Sequence, residues 1–221
     1  MLILALDAST PVVTVALARE EDRGRIIVAE VSATGGASEF LLPAVHATLG
    51  LAGESLEADG RILVGVGPGT FTGIRIAAST ARTLSLGTGA ALAKNSTLAA
   101  LAAPALATRP EVLAVLDAKR GQVFAQRFSG EVTGEVLCVG PAELAAVGSP
   151  LLVGDGAVRY REELSRLGDI PPDGSPVHRV TAAGHVLGAD LNPVKPEEVL
   201  PLYIREPDAE VRRDLNPWSR R

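Results

Sequence analysis

The run Ile3-Leu4-Ala5-Leu6-Asp7-Ala8 returns near the middle of the chain as Val112-Leu113-Ala114-Val115-Leu116-Asp117-Ala118. Both runs are apolar, as a strand buried on both faces must be, and both deliver an aspartate into a turn. After each, the chain comes back as a second strand (12–17 and 122–128) and then a third (26–31 and 131–139). Helical spacing follows at 39–51 in the first half, where Pro43 kinks the start, and at 141–147 in the second. Strands at 61–64 and 151–153 and helices at 74–86 and 158–167 complete the correspondence. Between the halves, 90–93 reads as a short strand, and Ser96 caps a helix over 97–107 that Pro104 bends or ends. A unit that occurs twice predicts a duplicated α/β fold, each lobe a sheet flanked by helices. Two short apolar strands also match by chance, and the repeat alone leaves that alternative open. The lobes divide at 1–108 and 109–204, with 200–204 as a last strand or docked turn. Residues 205–221 mix Arg, Asp and Glu without an apolar period and read as a flexible tail carrying the only tryptophan, Trp218.

Between the strand at 61–64 and the helix at 74–86 lies Gly65-Val66-Gly67-Pro68-Gly69-Thr70-Phe71-Thr72-Gly73-Ile74-Arg75. Glycine tolerates positive φ and lets another backbone come close, and Thr70 or Thr72 is placed to cap the helix. The Walker pattern ends in Gly-Lys-Ser/Thr and no lysine occurs here; Gly-x-Gly-x-x-Gly spacing is not met from Gly65 or from Gly67. The stretch therefore predicts a tight turn that packs a helix close to something. Gly73, Ala77, Ala81 and Ser85 recur every fourth residue, with Ile74, Ala78 and Leu84 beside them. That stripe fits the chain's own sheet and a subunit contact equally well.

Aromatic residues make up only 3% of the 221, so the cores must be built from Ala, Val, Leu and Ile. A net charge of −5 argues against a chain that grips nucleic acid unaided. The single cysteine, Cys138, excludes an internal disulfide and suits a reducing compartment. The most apolar run, 98–107, is too short to span a bilayer, and the start lacks a basic segment and cleavage pattern. The expected location is the cytoplasm.

Catalytic patterns are sparse. Cys138 lies in the apolar run Val136-Leu137-Cys138-Val139, a strand thiol rather than an activated one, and no Gly-x-Ser-x-Gly elbow occurs. His46 reads as a partly exposed helix residue. His178 and His185 are spaced to share a helix face, but no His-x-x-x-His exists, so a metal site of that kind is not expected. Asp7 and Asp117 are the best remaining candidates. At the ends of corresponding strands they are placed to face one another across a cleft and manage Mg²⁺ and phosphates, with Ser9 and Thr10 in the first turn and Gly154-Asp155-Gly156 nearby. The second turn, Lys119-Arg120, is bulky where phosphate would need small residues. The plainer alternative is that both aspartates cap turns after strands.

Four segments together resemble the bacterial TsaB family of tRNA threonylcarbamoyladenosine biosynthesis proteins, also called YeaZ. They are Leu4-Ala5-Leu6-Asp7-Ala8-Ser9-Thr10, the glycine stretch 65–75, Leu116-Asp117-Ala118-Lys119-Arg120-Gly121-Gln122-Val123 and Pro201-Leu202-Tyr203-Ile204-Arg205. The match runs in order from 2 to about 209, and the glycine stretch is its most specific part. One departure is Ala37-Ser38, where family members often carry His-Ser.

The resemblance implies an actin-like, Hsp70-like ATPase (ribonuclease H-like) fold of two lobes. It implies a non-catalytic partner of TsaD, acting together with the ATPase TsaE. TsaD transfers the threonylcarbamoyl group to N6 of adenosine 37 in tRNAs reading codons that start with A. TsaD holds its metal with a His-x-x-x-His on the helix matching 39–51, which this chain lacks. No cofactor is implied, and tRNA is met only through the complex. In the family the first-lobe helices, here 39–51 and 72–86, bundle with TsaD or with a second copy in a homodimer. On that basis Phe40, Leu41, Ala44, Ile74, Ala77, Ala78 and Ala81 are expected to line the contact. An alternative function is a weak nucleotide hydrolase built on Asp7 and Asp117. A glycoprotease-like peptidase, for which the sequence offers no nucleophile, is the other.

Overall fold

The computed structural model describes residues 1–130, 132–145 and 147–204. The expected tail, with Arg205 and Trp218, lies outside the described residues, as do Glu131 and Ala146.

The first sheet begins with a meander. Strand β1 (Leu2–Asp7) pairs antiparallel with β2 (Val12–Glu21), which pairs antiparallel with β3 (Gly24–Thr34). Helix α1 (Ala37–Ala52) leads to β4 (Arg61–Gly65), parallel to β1; α2 (Phe71–Thr88) leads to β5 (Ala91–Asn95), parallel to β4. The order is β3-β2-β1-β4-β5. Helix α3 (Thr97–Leu106), capped by Ser96 through Ala99 N–H, carries the chain to the second sheet. There β6 (Glu111–Lys119) pairs antiparallel with β7 (Gln122–Ser129). Two short strands, β8 (Val132–Thr133) and β9 (Leu137–Val139), pair with β7, and β10 (Leu151–Val153) lies parallel to β6. Helices α4 (Asp155–Arg159), α5 (Arg161–Leu164) and α6 (Ala182–Gly188), with the 3-10 turns Pro141–Glu143, Pro176–His178 and Pro196–Glu198, complete the described elements.

The duplication is real in topology: β6, β7 and β10 repeat the relations of β1, β2 and β4. The chain has an α/β fold of two lobes, each a sheet with flanking helices. Side chains alternate across each sheet, so each lobe has two cores. On one face of the first sheet, Leu4, Leu6, Val15 and Leu17 meet Leu41, Ala44, Val45, Ala77, Ala78 and Ala81 of α1 and α2. On the other, Ile3, Ala5, Ala16 and Leu63 meet Ala182, Val186, Ala189 and Leu191. On the second sheet, Ala114 and Leu116 meet Leu98, Leu101, Ala102 and Ala105 of α3; Val115 and Val123 meet Ala157, Leu164 and Leu167 on the opposite side.

Helices α3 and α6 pack on each other between the two sheets, each against the sheet of the other half. A boundary at 108 therefore divides the sequence but not the structure. Residues 182–199 return to the first lobe, where Arg25 Nη1 donates to the Val186 and Ala189 carbonyls and Val199 joins its core.

Several elements differ from the sequence reading for local reasons. Helix α1 begins at Ala37, after Gly36 and two residues before the expected start at 39, and Pro43 sits inside it. Thr70 occupies the cap position of α2 but its hydroxyl makes no cap bond. The expected helix at 141–147 is a single 3-10 turn, Pro141–Glu143. The helix expected from Val158 already begins at Asp155 and breaks at Tyr160. The expected strand or turn at 200–204 is irregular, anchored by Leu202 N–H to the Val66 carbonyl at 2.8 Å.

Candidate functional site

Asp7 ends β1 and is fully buried. A carboxylate withdrawn from water must have its lone pairs satisfied, and the turn after it supplies the donors. Ser9 N–H and Ser9 Oγ both donate to Oδ1 at 2.7 Å. On the other oxygen, Thr97 Oγ1 donates at 3.3 Å and the His185 ring meets it through Nε2 at 2.9 Å. An ionised carboxylate only accepts, so Nε2 carries the proton. Burial by itself pushes the Asp7 carboxyl up; the His185 hydrogen bond and charge, with the Ser9 donors, outweigh it and hold the group below its ordinary value. His185 is fully buried and its Nδ1 has no partner among the described residues.

The neighbouring backbone is shaped around this network. A Cβ on Gly65 would overlap the Asp7 carboxylate and crowd the His185 ring. A Cβ on Gly73, in the first turn of α2, would overlap the Ala8 carbonyl. The glycine stretch thus lets a helix close onto the turn after β1. Thr70 N–H donates to the Ser9 carbonyl at 2.7 Å, so the chain itself occupies an amide that a phosphate loop would present.

Asp117 sits at the matching end of β6 in different surroundings. Lys119 N–H and Nζ donate to its two oxygens at 2.9 and 2.8 Å, and Arg159 Nε lies 3.7 Å away. Partial burial pulls the carboxyl up, but the Lys119 bonds and the Lys119 and Arg159 charges hold it below its ordinary value. Asp155 Oδ1 accepts from Asp117 N–H at 3.0 Å; burial pushes its carboxyl up, and the Asp117 charge adds to that.

Between the lobes lies a cleft of about 460 Å³, lined by Ser9, Thr10, Pro11, the 69–71 turn, Asp117, Lys119, Asp155 and the 202–204 segment. Asp117, Ser9 and Thr10 reach it. Asp7 does not: it points into the first lobe and is sealed by His185. The expected pair of aspartates facing one another across a cleft is therefore not formed. Ser9 Oγ is committed to Asp7, and Thr10 Oγ1 closes its own turn by donating to the Val12 carbonyl.

The histidines separate as well. His178 lies in the 3-10 turn Pro176–His178, accepting at Nδ1 from Gly154 N–H and donating from Nε2 to the Pro171 carbonyl. It shares no helix face with His185. His46 is exposed on α1. Among the described residues no group of three or more His, Cys, Asp or Glu side chains comes together, and no helix is long and apolar enough to cross a membrane. The role of His185 was missed from the sequence. Its signal is a lone histidine in Ala182-Ala183-Gly184-His185-Val186-Leu187-Gly188, an otherwise uncharged apolar helix where a buried ring requires a polar partner.

The residues expected to line a subunit contact need correction. Leu41, Ala44, Ile74, Ala77, Ala78 and Ala81 are all buried within the single chain, against its own first sheet or the turn after β1; only Phe40, 37% exposed, reaches the surface. The small stripe of α2 lets the helix approach its own sheet. The outward residues of the two helices are different ones: Pro43, Ala47 and Gly50 on α1, and Ser79, Thr83 and Leu86 on α2.

Comparison with known proteins places this architecture. The model of the TsaD family, tRNA N6-adenosine threonylcarbamoyltransferase, matches residues 32–144. An uncharacterized protein of Mycobacterium tuberculosis is 31% identical over 213 residues, covering 94% of this chain and 93% of that protein. The tRNA threonylcarbamoyladenosine biosynthesis protein TsaB of Escherichia coli is 33% identical over 138 residues, 61% of this chain and 58% of that protein. Its Bacillus subtilis counterpart is 32% identical over 126 residues, 56% and 53%. Among solved structures, YeaZ from Pseudomonas aeruginosa superposes with a TM-score of 0.77 at 26% identity, covering 92% of this chain and 99% of that one.

Proposed function

The chain belongs to the TsaB/YeaZ family, and from that premise we propose that it is a non-catalytic subunit in threonylcarbamoyladenosine formation on tRNA. It acts by holding a TsaD homologue, with a TsaE homologue completing the assembly, and it forms a homodimer when alone. The observation that carries this reading is the outer surface of the α1–α2 pair. Past Glu39, α1 contains no Asp, Glu, Lys or Arg. The only charged residues of α2 are Arg75 and Arg82, and both are engaged, with Tyr203 Oη and the Val199 carbonyl. Apart from the exposed His46 of α1, what remains outward past Glu39 is small or apolar, a surface on which a partner's helices pack with little charge to desolvate. The commitment of Asp7 to a buried pair supports the absence of catalysis.

Reconstitution of tRNA modification with and without this chain tests the role. Co-purification of the TsaD homologue with Ala47→Arg and Ser79→Arg tests the surface. Both positions are exposed, so folding is retained, and each substitution weakens capture at least about thirtyfold. Undiminished capture by the double variant, with modification proceeding at full rate, refutes the reading.

A further inference from the structure

The outer surface of the α1–α2 pair is short of charge, and one cation on it is left uncompensated. Arg75, Ser79, Thr83 and Leu86 form a single exposed stripe along α2, about one helical turn apart. The 199–203 segment runs beside that stripe. Arg82 Nη2 donates to the Val199 carbonyl at 2.6 Å, and Arg75 Nε donates to Tyr203 Oη at 2.8 Å. Two rings fix Arg75 in place: its guanidinium lies 4.2 Å over the Phe71 ring and 5.9 Å from the centre of the Tyr203 ring. The rings are 5.4 Å apart and 40% and 44% exposed, so the stack stands at the surface.

A surface arginine ordinarily gives up side-chain freedom when a partner orders it. Here the stack and the hydrogen bond have ordered it beforehand. Neither cancels its charge, because the phenol and the rings are neutral. Among the described residues every ion pair uses other side chains, and the Nη groups of Arg75 make no hydrogen bond. A planar fork of N–H donors held at the surface matches a carboxylate. A helix laid along the stripe would cover this cation, and covering it without a counter-charge opposes binding.

We propose that Arg75 is the charged anchor of the partner surface and grips an Asp or Glu carboxylate on a helix of the TsaD homologue, with Phe71 and Tyr203 packing around the pair. The anchor rests on the function proposed above and adds the chemistry by which the partner is selected. Arginine and tyrosine in a pre-ordered cluster are the residue types that carry most binding energy at interfaces. An RNA phosphate fits the same fork, but following a backbone takes several cations. Arg75 is the one cation on its stripe, in a chain of net charge −5.

Capture of the TsaD homologue by the full chain, measured on an immobilised surface at about 50 and about 500 mM salt, tests the anchor. Arg75→Gln weakens capture about tenfold at low salt and removes most of its salt dependence. Arg75→Glu sets like charges against each other and weakens capture at least about a hundredfold. Tyr203→Phe keeps the ring, deletes only the acceptor that aims the guanidinium, and costs about threefold. Arg109→Gln, at an exposed ion pair with Asp169, leaves capture unchanged. Urea midpoints of these variants match the wild type, so each loss reads as binding rather than folding. Among single Asp→Lys and Glu→Lys changes on the homologue's helices, one restores capture of Arg75→Glu. Undiminished capture by Arg75→Glu overturns the proposal, as does the lack of any restoring lysine. If Arg75→Glu captures the homologue but loses self-association, the carboxylate belongs to a second copy; if it loses only tRNA, the fork serves a phosphate. Either result overturns the proposal. No capture by the wild-type chain refutes the proposed function itself.

Discussion

Asp7 and Asp117 occupy the same step of two duplicated lobes and have opposite fates. Asp7 is the last residue of β1 and Asp117 lies two residues before the end of β6; each strand pairs antiparallel with the next strand and parallel with a later one, β4 or β10. Asp7 is fully buried, held by His185, Ser9 and Thr97. Asp117 lines an open cleft and is neutralised by the lysine two residues on. The difference lies in the turns. Ser9 and the glycines at 65, 69 and 73 let the first lobe collapse onto its aspartate, whereas the bulky Lys119 and Arg120, both at positive φ (63° and 55°), leave the second open. Duplication conserved the scaffold, and local side-chain size decided which carboxylate became structural.

The comparison can be broken in four ways, in falling order of effect. Ala77→Glu places a charge where the structure has no room and no partner. It costs more than about 4 kcal/mol, whereas Ser79→Glu, two residues on but exposed, stays within about 0.5 kcal/mol. Urea unfolding of both variants separates a core helix face from a free one. Second, Asp7→Ala leaves His185 buried without its acceptor and costs about 3–5 kcal/mol, while Asp117→Ala, whose Lys119 partner is 63% exposed and returns to water, costs less, about 1–2 kcal/mol. Equal losses would mean that the two lobes use their aspartates alike.

Third, the Asp7 carboxyl titrates below its ordinary value in the folded state. As pH falls below about 4, the unfolded chain takes up a proton that the folded chain refuses, so stability present at higher pH is lost on acidification. Asp7→Asn lowers stability at neutral pH and flattens this acid limb; urea midpoints measured from pH 6 to pH 2.5 show both. An acid limb unchanged in Asp7→Asn would place its source elsewhere. Fourth, Lys119→Met moves thermal stability by no more than about 0.5 kcal/mol, since its ammonium is solvated and screened.

Much of the fold was legible because apolar periodicity and turn residues are local signals. The meander, β4, β10 and the Ser96 cap of α3 follow from them directly. The short elements were less so. Gly134 interrupts the expected third strand of the second half, and Pro141 supports only one turn of helix. The candidate site was half legible: Ser9, Thr10, Asp117 and Asp155 do reach the cleft. Asp7 does not, because its partner lies far away in sequence at His185, and no local pattern encodes that distance. The small stripe of α2 was legible as a packing face, but its partner was not.

The order of residues by itself determined a duplicated α/β chain whose strands each deliver an aspartate into a turn, and a helix made to be approached closely. Periodicity and side-chain size are properties of a segment, so a segment suffices to read them. Only the tertiary structure decided that α3 and α6 cross to the opposite sheets, that Asp7 is locked to His185, and that the alanine face of α2 is spent on its own lobe. Each of those depends on which surfaces lose water together, and burial is settled by the whole chain at once.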